Sequence, residues 1–89
     1  MNLARAYSIQ IDADAWRDLM KLPESLQETL FNAIYRLELA PRPSGCKTLQ
    51  GGDGLYRIRV GDYRIIYEIQ DAKLVVVVVK VGHRSKVYD

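Results

Sequence analysis

"LYRIRV" (Leu55–Val60), the dipeptide Gly61-Asp62 and "YRIIYEIQ" (Tyr63–Gln70) make up the stretch whose reading decides the fold. Two runs rich in Tyr, Ile and Val flank a two-residue loop with a leading glycine, which predicts a β-hairpin closed by a type II′ turn. The loop length sets the register: Val60 faces Tyr63, Arg59 faces Arg64, Ile58 faces Ile65 and Arg57 faces Ile66. Side chains alternate along a strand, so Arg57, Arg59, Arg64 and Ile66 share one face. Tyr56, Ile58, Val60, Tyr63, Ile65 and Tyr67 share the other, which is the face for helices to cover.

The register sets two arginines opposite each other. Like charges in that position destabilise an antiparallel pair by a few tenths to about 1 kcal/mol. Two readings stand side by side. Either the guanidinium groups splay into water with Glu68 and Asp62 screening them, or they form a preorganised anion site, since their rigid donor forks match phosphate.

Working outward, "KLVVVVVKV" (residues 73–81) follows Asp71-Ala72 as a third strand. Its near-continuous apolar run predicts a central strand buried on both faces. Upstream, Tyr7, Ile9 and Ile11 alternate with polar or small residues as in a short half-buried strand. Trp16, Leu19 and Met20 then fall at helical spacing behind an N-cap at Asp12 or Asp14. Pro23 starts a second helix with a stripe of Leu26, Leu30, Ile34 and Leu37. Trp16 and Phe31 read as core aromatics. "APRPSG" (residues 40–45) stops that helix, and the glycines of "GCKTLQGGDG" (residues 45–54) lack the GxxxxGK[ST] spacing of a phosphate-binding loop. The element order β-α-α-β-β-β predicts an α+β fold, two N-terminal helices on a small antiparallel sheet, in one domain covering residues 1–89.

Eighty-nine residues supply one core. With a single cysteine, Cys46, no intramolecular disulfide forms, and no Cys/His cluster has zinc spacing. No apolar run has the signal-peptide pattern or the roughly 20 residues of a membrane span, so a cytoplasmic protein without a membrane partner is expected. The net charge of +2 is unevenly spread: residues 1–46 hold five Lys and Arg against six Asp and Glu, residues 47–89 eight against five. The basic half therefore holds any anion site. Its tail, "KVGHRSKVYD" (residues 80–89), adds Lys80, His83, Arg84, Lys86 and Tyr88, and the third strand is expected to carry His83 and Arg84 towards the arginine pair.

Residues 47–88 resemble the RelE branch of the RelE/ParE toxins of type II toxin–antitoxin pairs. "YRIRVGDYRIIY" (residues 56–67) and "VGHRSKVY" (residues 81–88) are the specific parts. The resemblance implies a microbial-ribonuclease-like fold and a toxin that cuts messenger RNA in the ribosomal A site, partnered by a cognate antitoxin through which the complex binds operator DNA. It further implies that Arg57, Arg59, Arg64, Arg84 and Tyr88 line the catalytic site, without cofactor or metal. Where the best-known member has lysines, this chain has Arg57 and Arg59, which hold their protons. They are assigned to phosphate binding and to charge stabilisation, with Lys47, Lys80 and Lys86 as further substrate contacts. Proton transfer falls to His83 and Tyr88. Two other readings accompany this one: a ParE-like gyrase poison, and a degenerate toxin acting as a co-repressor module.

Overall fold

The hairpin forms as the turn chemistry dictates. In a computed structural model, which describes residues 6–49 and 54–87, β3 (Leu55–Val60) and β4 (Tyr63–Gln70) pair in the predicted register, Arg59 with Arg64. Gly61 takes φ +59°, and among the described residues the only non-glycine with positive φ is Leu74, which leaves Asp62 at negative φ as a type II′ turn requires.

Among the described residues, five strands form one sheet. β1 (Ser8–Ile11), β2 (Lys47–Thr48) and β5 (Val75–His83) complete it, in the order β1-β5-β4-β3-β2. Helices α1 (Ala13–Met20) and α2 (Glu24–Arg36) follow β1 directly. The α+β class and the chain order are as the sequence predicts, with the short β2 added.

The sheet is mixed, because β1 lies parallel to β5, with Ser8 beside Val75 and Ile11 beside Val78. A meander of three hairpin-linked strands fixes its own directions through its turns. Nothing local fixes that of a first strand joined to it through two helices. β4 and β5 pair antiparallel with an irregularity at Ile66/Tyr67.

The core lies on one face of the sheet. Ile58, Ile65, Tyr67, Val76, Val78 and Val81 are buried there against Ala15 and Leu19 of α1, Leu30 and Ile34 of α2, and Leu37 just beyond it. The valine run was expected to be buried on both faces; instead Val76 and Val78 are buried while Val75, Val77 and Val79 are half-buried. Among the described residues, both helices pack on the same side.

Trp16 departs from its expected core place. It is 49% exposed, and Ala15 occupies the buried position beside it. The apolar stripe of an eight-residue helix is only wide enough for Ala15 and Leu19 to face β5, which rotates Trp16 outward. There its ring centroid lies 5.7 Å from that of Phe31, which in turn stacks on Tyr35 at 6.0 Å.

The segment from α2 to β2 is tied to the far end of the sheet. Arg42 donates two hydrogen bonds to Asp71, of 3.2 and 2.7 Å, and one of 3.0 Å to the Tyr56 hydroxyl. Tyr7 donates to the same carboxylate at 2.7 Å, and the buried Tyr67 hydroxyl donates to the Pro41 carbonyl at 2.7 Å. Hydrogen bonds from Arg42, then Tyr7, hold the Asp71 carboxyl down at about 2, and the carboxylate in turn pushes the Tyr7 hydroxyl up.

Candidate nucleic-acid interface

Strand pairing places two rows of residues on the face opposite the helices. In the first, Lys47 of β2 pairs with Arg57, which pairs with Ile66, which pairs with Lys80 of β5. In the second, Arg59 pairs with Arg64 and Arg64 with Gly82. Three arginines and Lys47 thus come from three neighbouring strands. Rigid sheet positions suit a site that must hold a phosphate in one geometry.

Burial differs along these rows in a way the period-two pattern does not disclose. Arg57 is 2% exposed and Arg64 6%, whereas Arg59 is exposed. Arg64 folds back over the hairpin, its Nη1 donating to the Gly61 carbonyl at 3.1 Å and to the Tyr63 carbonyl at 3.0 Å. That fold turns the guanidinium of Arg64 along the strand towards the loop. Arg84 meets the same turn: its backbone N–H donates to the Asp62 carbonyl at 2.7 Å, and its Nε lies 3.7 Å from Asp62 Oδ1. The loop that closes the hairpin therefore holds Arg84 at the same turn onto which Arg64 folds.

Gly82 has a packing reason. A Cβ there would come within 2.6 Å of Val87 Cγ2. The chain turns back after β5, with the N–H groups of Lys86 and Val87 donating to the His83 carbonyl at 2.8 and 3.2 Å, and seats Val87 against Gly82. Tyr88 follows Val87 in the sequence and lies outside the described residues.

His83 was expected to lie with the arginines, and the structure parts them. It pairs with Tyr63, not Arg64, and so shares the helix-covered face, with its ring edge-on to that of Tyr63 at 5.5 Å. The one-residue difference in register decides the face. Its Nδ1 accepts a hydrogen bond from the Ser85 backbone N–H at 3.1 Å and lies 2.9 Å from Ser85 Oγ. In the neutral ring that leaves the proton on Nε2.

Lys80 enters the first row by backbone pairing, yet its Nζ reaches 3.6 Å from Asp18 Oδ2 of α1. The irregularity in the β4–β5 ladder beside it accounts for the turn of its side chain. Lys80, Lys86 and His83 line a cavity of about 290 Å³ at the end of β5 together with Asp18, Lys21 and Tyr63. A larger groove, about 660 Å³, runs between α2 and β3, with apolar walls at Ala33, Leu37 and Ile58 and cations Arg36, Lys47 and Arg59 around it. Lys21 and Arg36 line these spaces without having stood out in the sequence, since a cation at the end of a helix also suits the helix dipole. Among the described residues no group of three or more His, Cys, Asp or Glu could hold a metal ion. No helix in them is long and apolar enough to cross a membrane.

Comparisons with known proteins bear on what this geometry serves. A family model described as the ParE toxin of type II toxin-antitoxin systems, parDE, matches residues 9–88. The mRNA interferase toxin RelE of Escherichia coli is 33% identical over 87 residues, covering 93% of this chain and 90% of its own length. Toxin RelE of Mycobacterium tuberculosis is 32% identical over 83 residues, with 92% and 86% covered. The structure superposes on the M. tuberculosis RelBE2 toxin-antitoxin complex with a TM-score of 0.81 at 28% identity, over 97% of this chain and 100% of that one. The intact E. coli RelBE complex gives 0.77 at 30% identity, over 88% and 96%.

Proposed function

The chain belongs to the RelE branch of the RelE/ParE family of type II toxin–antitoxin toxins, and from that premise we propose that it is a ribosome-dependent endoribonuclease that cuts messenger RNA in the A site and is neutralised by a cognate antitoxin. The observation that carries this reading is the arginine row: Arg57, Arg59 and Arg64 on one face of β3 and β4, with Arg84 tied to the same turn by Asp62. Those groups suit a dianionic phosphorane-like transition state, to which fixed cations in a partly buried site contribute more than in water.

In the proposed reaction the ribose 2′-oxygen attacks the adjacent phosphorus and the bond to the 5′-oxygen breaks. The products are a 2′,3′-cyclic phosphate and a 5′-hydroxyl. Arg64 and Arg84 clamp the scissile phosphate, while Arg57 and Arg59 stabilise the charge that builds on its oxygens. A base must take the 2′-OH proton and an acid must give one to the leaving oxygen. Arginines do neither, and His83 faces away from them, so Tyr88 is assigned proton transfer within this chain. The antitoxin, by the same reading, covers the toxin and joins the pair to operator DNA.

The family model's ParE name favours a second reading, poisoning of DNA gyrase. One experiment separates the two. Brief induction without antitoxin is followed by mapping of messenger RNA 5′ ends and of plasmid supercoiling in the same culture. Cuts spaced by codons that vanish when translation is blocked support RNA cleavage. Intact messages with gyrase-linked DNA breaks would overturn it.

A further inference from the structure

We propose that the cavity at the end of β5 is a second anion site, taking a nucleotide of the RNA that flanks the one held on the arginine face. The proposal deepens the RNA reading and rests on it. Its cations come from two elements, Lys21 at the end of α1 and Lys80 and Lys86 around the end of β5. Among the described residues Asp18 is the one carboxylate lining the cavity, and it is engaged by Lys80. His83 adds a ring whose Nδ1 accepts from the Ser85 backbone N–H, which leaves Nε2–H as a donor.

The floor and the position narrow the ligand. Leu22, Val81 and Val87 give an apolar base, and the edge-to-face Tyr63–His83 pair gives an aromatic wall, so the cavity offers a base or ribose a surface and a phosphate its lysines. Among the described residues no arginine lines it, whereas a carboxylate-bearing peptide is best held by an arginine fork. β1 pairs with β5 only as far as Val78, so no strand of the described residues covers the β5 edge between Val79 and His83. An RNA strand can pass round that edge from the arginine face to the lysine cavity.

The test uses the full chain freed of antitoxin and a fluorescent single-stranded RNA carrying 2′-O-methyl groups, which cannot be cut by 2′-OH attack. Binding is followed by anisotropy over a series of salt concentrations. Lys80→Ala/Lys86→Ala should weaken binding roughly tenfold at low salt and make the slope of log K against log salt shallower by about 0.7, the value for one lost phosphate contact on a single strand. Both lysines are exposed, so the variant keeps its core. Inorganic phosphate titrated into the wild type should shift the backbone resonances of His83 and Ser85. Unchanged RNA affinity and slope in the double variant would overturn the proposal, and phosphate shifts without that loss would show an adventitious ion only. Displacement of the RNA by a short polyglutamate peptide at equal or lower concentration than by a competitor RNA would assign the cavity to a protein partner instead. Messages left intact in cells while the variant still loses RNA affinity would remove the cleavage reading and leave the cavity standing; normal cleavage with unchanged affinity would do the reverse.

Discussion

Single residues carry the sharpest consequences of the fold, and Tyr67 shows how. It is fully buried, its ring stacks on Tyr56 at 5.9 Å, and its hydroxyl gives Pro41 a hydrogen bond; burial, then the neighbouring Cys46 thiol, pushes that hydroxyl up and keeps it a donor. Tyr67→Phe should cost about 1–2 kcal/mol. That corresponds to a fall of roughly 4–16 °C in Tm for a chain of this size, read by thermal circular dichroism, and a Tm within a degree of wild type would mean that the Pro41 loop is held by other contacts. On the opposite face, Arg64→Ala and Arg84→Ala should each abolish toxicity while the purified protein still binds antitoxin. Toxic variants would show the phosphate clamp to be misplaced. The pairing of Arg59 with Arg64 was legible in the sequence because a two-residue loop leaves one register. The near-complete burial of Arg57 and Arg64 beside an exposed Arg59 was not, since alternation assigns a face and says nothing of what covers it.

At the scale of elements, two junctions set the site. The turn after β5 depends on Gly82, whose missing Cβ makes room for Val87. Gly82→Ala should displace Val87 and with it the turn bearing Arg84, at roughly 1–3 kcal/mol of overpacking, and adding Val87→Ala should recover much of that loss by relieving the contact. A double variant no more stable than Gly82→Ala alone would place the strain elsewhere. The other junction is the Arg42–Asp71–Tyr7 cluster, which fastens the loop before β2. Folding lowers the Asp71 carboxyl from 3.8 to about 2, so its contribution is present above the unfolded value and is lost as pH falls through the folded one. In urea melts, the gap between wild type and Asp71→Asn should hold steady above about pH 5 and close between about pH 4 and pH 2; a gap still open at the low end would remove the carboxylate from that role. The hairpin and both helices were readable from periodicity and from Pro23. The parallel placement of β1 and the outward turn of Trp16 were not, because each is decided by how α1 packs on β5 rather than by its own residues.

Over the whole molecule, the sheet divides its basic residues between two sides. Arg57, Arg59 and Arg64 lie on the face opposite the helices with Arg84 at their turn, while His83 stands with Tyr63 on the helix side near Lys21, Lys80 and Lys86. The sequence made the charge asymmetry visible, with the basic excess in residues 47–89, but from a single chain the β4–β5 register could not be fixed to one residue. That single residue decides which face of the sheet carries the histidine. Arginines keep their charge throughout the working range, so in the proposed reaction, with His83 on the other side, no imidazole takes part in proton transfer. His83→Gln should therefore leave the shape of the pH–rate profile between pH 5 and 8 as in wild type when ribosome-dependent cleavage is measured in single turnover, while the apparent affinity falls through loss of its contact in the lysine cavity. A wild-type inflection near the ordinary histidine range that disappears in the variant would return His83 to proton transfer, and would require β5 to reach the arginine face in a register other than the one seen.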